Sequence, residues 1–277
     1  MIKKGPDFIG IGAQRSGTSW MASCFWEHPE IFMPGKELHF FDQGNESDVD
    51  SYYAKFSEHN RVQGEFTPDY LSDPAAIERI AKYCPQAKLI IILREPAART
   101  ESSYNLYRER ETLESEISSL DDVYKYKHRA FNKSLYGQQL QHLFNHVDSK
   151  NVKVVFYDQI TSAPQALLSE VFEFIGVDAS FVPPSFGKNF NSSSVAFKNA
   201  KLNRALTGIQ NYLYKRPWGL KLLRLKKTSA FTAFKNKLIA RKQSNSKDLT
   251  AYKSYFQEDL ALLESLLNKK VPTSWKE

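Results

Sequence analysis

The chain has 277 residues, 42% apolar and 25% charged, with a net charge of +7. That composition excludes a disordered or collagen-like polymer and supports one sizeable core, or one core with an appendage. Two cysteines, Cys24 and Cys84, are too few for a disulfide framework, and no stretch reaches the ~18 apolar residues of a membrane span. A reducing, cytoplasmic setting is expected, because the start MIKKGPDFIGIG has a basic beginning but no long apolar region or cleavage site of a signal peptide.

The chain enters a strand almost at once, DFIGIGA (Asp7–Ala13), followed by the glycine-bearing turn GAQRSGTSW (Gly12–Trp20) and a helix over Ser19–Glu27. EIFMP (Glu30–Pro34) reads as a weaker strand, and GKELHFFD (Gly35–Asp42) as an extended segment that sets Glu37 and His39 on one side. Next come a strand at Arg61–Thr67, a helix at Asp73–Tyr83 with Asp73 as N-cap and Pro74 first in the helix, and the apolar strand Lys88–Arg94. Helices at Pro96–Arg110 and Ser134–Val147, a strand at Lys153–Ile160 and a helix at Pro164–Ile175 complete the alternation. Such alternation predicts an α/β fold: a P-loop-like parallel sheet flanked by helices on both faces.

The last third changes character. From Ala179 to Lys247 there is no Asp or Glu against fifteen Lys and Arg, so the rest of the chain is net acidic. The segment reads as short amphipathic helices, a basic helical subregion near the C-terminus. It is either a solvated face or a lid and contact surface for an anion or a peripheral membrane. The tail 248–277 carries helical periodicity over Leu249–Leu267 and a tryptophan, Trp275, able to pack back on the body. With no internal repeat, residues 1–277 read as one domain. No nucleic-acid motif is present, and no nucleic-acid partner is expected.

The turn has the means to grip an anion. Backbone N–H groups at a helix N-terminus carry partial positive charge. Gly17 permits close approach, Ser16, Thr18 and Ser19 add hydroxyls, and Arg15 adds a permanent forked cation. The nucleoside-triphosphate version of this loop places a lysine where Thr18 stands, and the strand at Lys88–Arg94 ends in Arg94 rather than a Mg²⁺-binding carboxylate. A P-loop kinase acting on a small molecule is therefore the weaker alternative.

GAQRSGTSW resembles the 5′-phosphosulfate loop of the sulfotransferases that use 3′-phosphoadenylyl sulfate (PAPS), a donor with no γ-phosphate that needs no metal. The resemblance extends through LREPAARTESSYN, where Arg94 and Ser102 fall on that family's 3′-phosphate pair, and through GKELHFFD, which is similar to the heparan-sulfate branch. It implies that Arg15 to Trp20 bind the phosphosulfate, and that Arg15 stabilises the sulfuryl group and the leaving oxygen. It further implies that Glu37 is the general base, with His39 beside it and Asp42 orienting; Lys198 and Lys201, near the start of the basic segment, are candidate donor contacts by their charge and place in the chain. Expected substrates are PAPS, leaving adenosine 3′,5′-bisphosphate, and a hydroxyl-bearing acceptor, a glycan first; a lipid, a tyrosine or a small metabolite stays open. One departure stands out: in GEFTPDYL the family's lysine is Phe66. If buried, Glu37 would be raised toward neutrality and suited to proton abstraction.

Overall fold

The computed structural model describes residues 5–57, 60–184, 186 and 248–277, and the backbone of two short strands between them. The elements run β1 (Phe8–Gly12), α1 (Thr18–Glu27), β2 (Ile31–Phe32), α2 (Phe40–Gln43), α3 (Val49–Tyr53), β3 (Val62–Phe66), α4 (Pro74–Tyr83) and β4 (Lys88–Leu93). They continue with α5 (Pro96–Glu109), α6 (Leu120–Lys125), α7 (Arg129–Asn132), α8 (Tyr136–Phe144), β5 (Val152–Phe156), α9 (Asp158–Ser162) and α10 (Pro164–Ile175). After β6 (Val195–Phe197) and β7 (Ile239–Arg241) come α11 (Thr250–Lys253) and α12 (Gln257–Leu267).

The first five strands form one parallel sheet in the order β2-β3-β1-β4-β5. Alternation within β4 shows why its apolar run is continuous. Leu89, Ile91 and Leu93 enter one apolar cluster with residues of α4, α5, α8 and α12, whereas Ile90 and Ile92 enter a second with residues of α1 and α10. Both faces of the sheet are thus covered by helices, as parallel strands require. Cys24 and Cys84 are buried in different clusters, so they are not partners in a disulfide.

The strand expected over Lys153–Ile160 stops at Phe156. The Phe156 N–H donates to Gln159 Oε1 at 2.9 Å, and α9 begins at Asp158. The chain divides into two compact units, Met1–Lys188 with Asp248–Glu277, and Asn189–Lys247. In the second, the described residues are the antiparallel pair β6 and β7, in register Val195 with Arg241 and Phe197 with Ile239. This corrects the helix expected over that stretch of sequence: a strand of three residues is fixed by its partner, which local periodicity does not see. The rest of the basic segment, with Lys198 and the lid or membrane-contact surface expected of it, lies outside the described residues. No helix among the described residues is long and apolar enough to cross a membrane.

The C-terminal helix is joined to the sheet layer by polar as well as apolar contacts. Asp259 on α12 accepts the first free N–H groups of α8, from Gly137 at 2.8 Å and Gln138 at 3.0 Å. Burial pushes the Asp259 carboxyl up from its ordinary value, and the N–H bonds oppose that shift. Trp275 is fully buried, edge-on to Phe156 at 5.2 Å, with its indole N–H donating to Asp158 Oδ2 at 3.2 Å. Asp259→Ala leaves two N–H donors of α8, one of them buried, without that acceptor. It is expected to lower unfolding free energy by about 1–3 kcal/mol, read as a reduced midpoint in urea with little change in slope.

Candidate active site

Three neighbouring parallel strands deliver their carboxyl ends to one place. β1 ends at Gly12 and opens into the loop 13–17, β3 ends at Phe66 beside Glu65 and Thr67, and β4 ends just before Arg94. β1 lies between β3 and β4, where successive connections leave in opposite directions, the position at which open parallel sheets form a crevice.

The loop is tightly determined. Gly17 has φ +92°, and a Cβ there would come within 2.5 Å of Ile160 Cδ1. Arg15 also lies in the left-handed region, at φ 72°. No side chain caps α1, so the N–H groups of Thr18 and Ser19 have no intrahelical acceptor. Ser16 is fully buried, and its Oγ has no hydrogen-bond partner among the described residues. These groups form a donor-rich cradle that fits a tetrahedral anion. Ser19 is exposed, but Trp20 is buried in the apolar cluster of α1 and α10. The structure therefore gives Trp20 a packing role in place of the expected donor contact.

Guanidinium groups gather on one side of the loop. Arg15 Nε donates to Ser102 Oγ at 3.0 Å, and Arg94 Nη1 donates to the Arg15 carbonyl at 3.3 Å. Of the pair expected to hold one phosphate, Ser102 is bonded to the Arg15 side chain and Arg94 to the Arg15 carbonyl. Arg94 also lies over the Tyr157 ring at 4.9 Å, and its carbonyl accepts from the Tyr136 hydroxyl at 3.0 Å. Sequence reasoning missed Arg99, which is fully buried behind the loop. It donates to Ser134 Oγ, Ser103 Oγ, the Ala130 carbonyl and, at 3.5 Å, the Gln14 carbonyl. Burial, then the neighbouring Arg94 charge, lowers the Arg15 pKa, and burial lowers that of Arg99. Among the described residues none of these three guanidiniums is ion-paired with a carboxylate, an arrangement that favours an incoming anion.

The segment Gly35–Asp42 faces the loop from the β3 side. It is not the extended segment expected, because His39 takes the left-handed conformation, φ 51°, and α2 starts directly after it. The turn nevertheless brings the expected group together. His39 Nδ1 lies 2.8 Å from Asp42 Oδ2, and His39 Nε2 lies 3.9 Å from Glu37 Oε2. Glu37 is not buried: its side chain is 40% exposed and 2.6 Å from Lys36 Nζ. The buried carboxylate here is Glu65, not Glu37.

Glu65 has no exposed surface and accepts four hydrogen bonds. Tyr52 and Tyr70 hydroxyls donate to Oε1 at 2.8 and 3.2 Å, and Leu38 N–H and Thr67 Oγ1 donate to Oε2 at 3.1 and 2.6 Å. Burial raises its pKa, and these donors oppose the rise. Tyr70 Oη in turn accepts the Phe40 N–H at 2.9 Å, and Thr67 Oγ1 accepts the Leu38 N–H at 3.0 Å. Glu65 and its partners therefore hold the backbone that presents Glu37, His39 and Asp42. The sequence signal was the GE pair at the end of β3; what it lacked was the pair of tyrosines.

Together these features set a donor-rich loop, a guanidinium cluster and an exposed carboxylate at the carboxyl ends of a parallel α/β sheet. The family model described as Sulfotransferase domain matches residues 5–211, and the chain belongs to that family. Heparan sulfate glucosamine 3-O-sulfotransferase 3B1 of Homo sapiens is 24% identical over 211 residues, covering 72% of this chain and 53% of that protein. Bifunctional heparan sulfate N-deacetylase/N-sulfotransferase 1 of Caenorhabditis briggsae is 26% identical over 192 residues, covering 61% of this chain and 22% of that protein. The chain thus spans about half the length of the first relative and less of the second. A sulfotransferase from Alicyclobacillus acidocaldarius shares the fold, with TM-score 0.66, 22% identity and coverage of 99% of this chain and 100% of that one.

Glu65→Gln keeps the shape but turns an amide NH₂ toward groups that now donate. It is expected to cost about 1–3 kcal/mol of stability and to reduce turnover by loosening the Gly35–Asp42 turn. Thermal unfolding and turnover measured on the same preparation check both, and unchanged values in each would remove Glu65 from this role.

Proposed function

We propose that the protein transfers the sulfuryl group of PAPS to an acceptor hydroxyl, without a metal, by in-line displacement within a single catalytic domain. The observation that carries this reading is the cluster of Arg15, Arg94 and Ser102 beside a loop that offers N–H and hydroxyl donors but no lysine at position 18. Arg94 and Ser102 would hold the 3′-phosphate, joined by Arg15, whose bond to Ser102 sets it at that end rather than on the sulfuryl group expected of it, and the donors of Ser16 to Ser19 would hold the 5′-phosphosulfate. Glu37 would take the acceptor proton, with His39, turned by Asp42, next to it. In such a site the chain contributes position and fixed charge, which account for most of the rate.

The matched relatives are named for heparan sulfate, which supports a glycan hydroxyl as acceptor. The exposure of Glu37 suits an acceptor that arrives from solvent. The kinase alternative is weaker. Its Mg²⁺ would need a carboxylate at a neighbouring strand end, and the one there, Glu65, is fully committed to four donors. The two cysteines, buried apart, support the expected cytoplasmic setting.

Adenosine 3′,5′-bisphosphate without Mg²⁺ is expected to raise the melting temperature, and ATP with Mg²⁺ is not. At a ligand concentration 100-fold above Kd the stabilisation is about 2.7 kcal/mol, and Arg94→Ala should abolish most of it. Labelled-sulfate transfer to an acceptor panel then measures the reaction itself. Glu37→Gln should lower its rate by about 10²–10⁴ with little effect on bisphosphate binding. Stabilisation by ATP–Mg²⁺ alone would overturn the proposal.

A further inference from the structure

We infer that Lys36 is the cation that contacts the transferring sulfuryl group, a role the family resemblance would give to a lysine at position 66. The inference rests on the sulfotransferase reading above and adds a residue to its site. Lys36 Nζ lies 2.6 Å from Glu37 Oε1 and 2.9 Å from Ser19 Oγ. One ammonium thus touches both the group that takes the acceptor proton and the hydroxyl at the mouth of the anion loop. In an in-line transfer, the acceptor oxygen and the sulfur lie between those two groups. An ammonium has three donors on a flexible stem, and two are used here. The third is left for a sulfuryl oxygen.

Position 66 carries no cation here, and Arg15 is placed elsewhere. Phe66 is fully buried, edge-on to Phe25 at 5.1 Å, and its ring fills the space over Gly10, where an added Cβ would come within 1.9 Å. The Phe66 N–H donates to the Lys36 carbonyl at 3.0 Å, so positions 36 and 66 are paired through the backbone. One side chain enters the apolar cluster, and the other reaches the loop. Arg15 has its Nε on Ser102, the end of the site assigned to the 3′-phosphate.

In the step itself, the acceptor hydroxyl gives its proton to Glu37 and its oxygen bonds to sulfur. The bond from sulfur to the phosphate oxygen breaks, and its electron pair stays on that oxygen. Lys36 remains protonated throughout and donates to the sulfuryl oxygens.

The test compares binding of PAPS and of adenosine 3′,5′-bisphosphate, which lacks the sulfuryl group, by titration calorimetry. Lys36→Met should weaken PAPS by about 10-fold or more, the worth of a hydrogen bond to a charged group, and change the bisphosphate less than about twofold. Lys36→Arg should restore most of the difference. The same selective loss should appear when Lys36→Met is added to Glu37→Gln, where no carboxylate charge remains to repel the sulfuryl group. Equal effects on both nucleotides, no effect on either, or a loss that vanishes in the Glu37→Gln background would each overturn the inference. Wild-type protein that binds neither nucleotide would overturn the donor reading and this inference with it.

Discussion

The site depends on a carboxylate that water never reaches. Glu65 is buried at the end of β3, and an ionised group there must be matched by donors or it destabilises the fold by several kcal/mol. Among the described residues no cation supplies them. Two tyrosines, a threonine and one backbone N–H do, and the N–H belongs to the turn that carries Glu37. The requirement to satisfy one charge thereby fixes the conformation of a segment with little regular structure of its own. Tyr70 extends the effect, since the oxygen that donates to Glu65 also accepts the first N–H of α2.

Across the loop the balance is reversed. Arg15 and Arg94 crowd together, with Arg99 behind them, and the bonds they make go to carbonyl and hydroxyl oxygens. Such bonds orient a guanidinium without neutralising it. The fold therefore stores like-charge repulsion that an anionic substrate relieves, and binding gains what folding gave up. Lys36 differs from these three. Its carboxylate neighbour is the acid–base candidate, so it links the two halves of the crevice rather than adding to the guanidinium side.

Much of this was legible in the sequence, and the limits have physical causes. β4 reads correctly because a strand buried on both faces leaves a continuous apolar run, and Asp73 with Pro74 marks the start of α4 through local capping chemistry. Arg94 and Ser102 are found through the family resemblance, whose motif records the fixed spacing that a strand and its following helix impose. Glu65, Arg99 and Asp259 resist sequence reading, because each takes its meaning from partners brought in by the tertiary fold. Trp20 shows the opposite error: adjacent to the loop in sequence, it points into the core because a helix turns its side chains by about 100° per residue. Glu37 and Glu65 show why the degree of burial is the least legible property of an acid.

The interlock of α8 with α12 has a consequence for how the chain can vary. The unit built on the sheet is discontinuous: it closes only when Asp248–Glu277 returns to Met1–Lys188, and the intervening Asn189–Lys247 forms a compact unit of its own. The entropy of such a closure grows only with the logarithm of loop length, about 0.6 kcal/mol for each doubling. By that measure the length of the enclosed segment alters the closure entropy little, whereas loss of Asp259 or Trp275 removes contacts that hold the return helix. The chain end is therefore part of the sheet unit itself, held there by two anchors, the Asp259 carboxylate bonded to α8 and the Trp275 indole against β5.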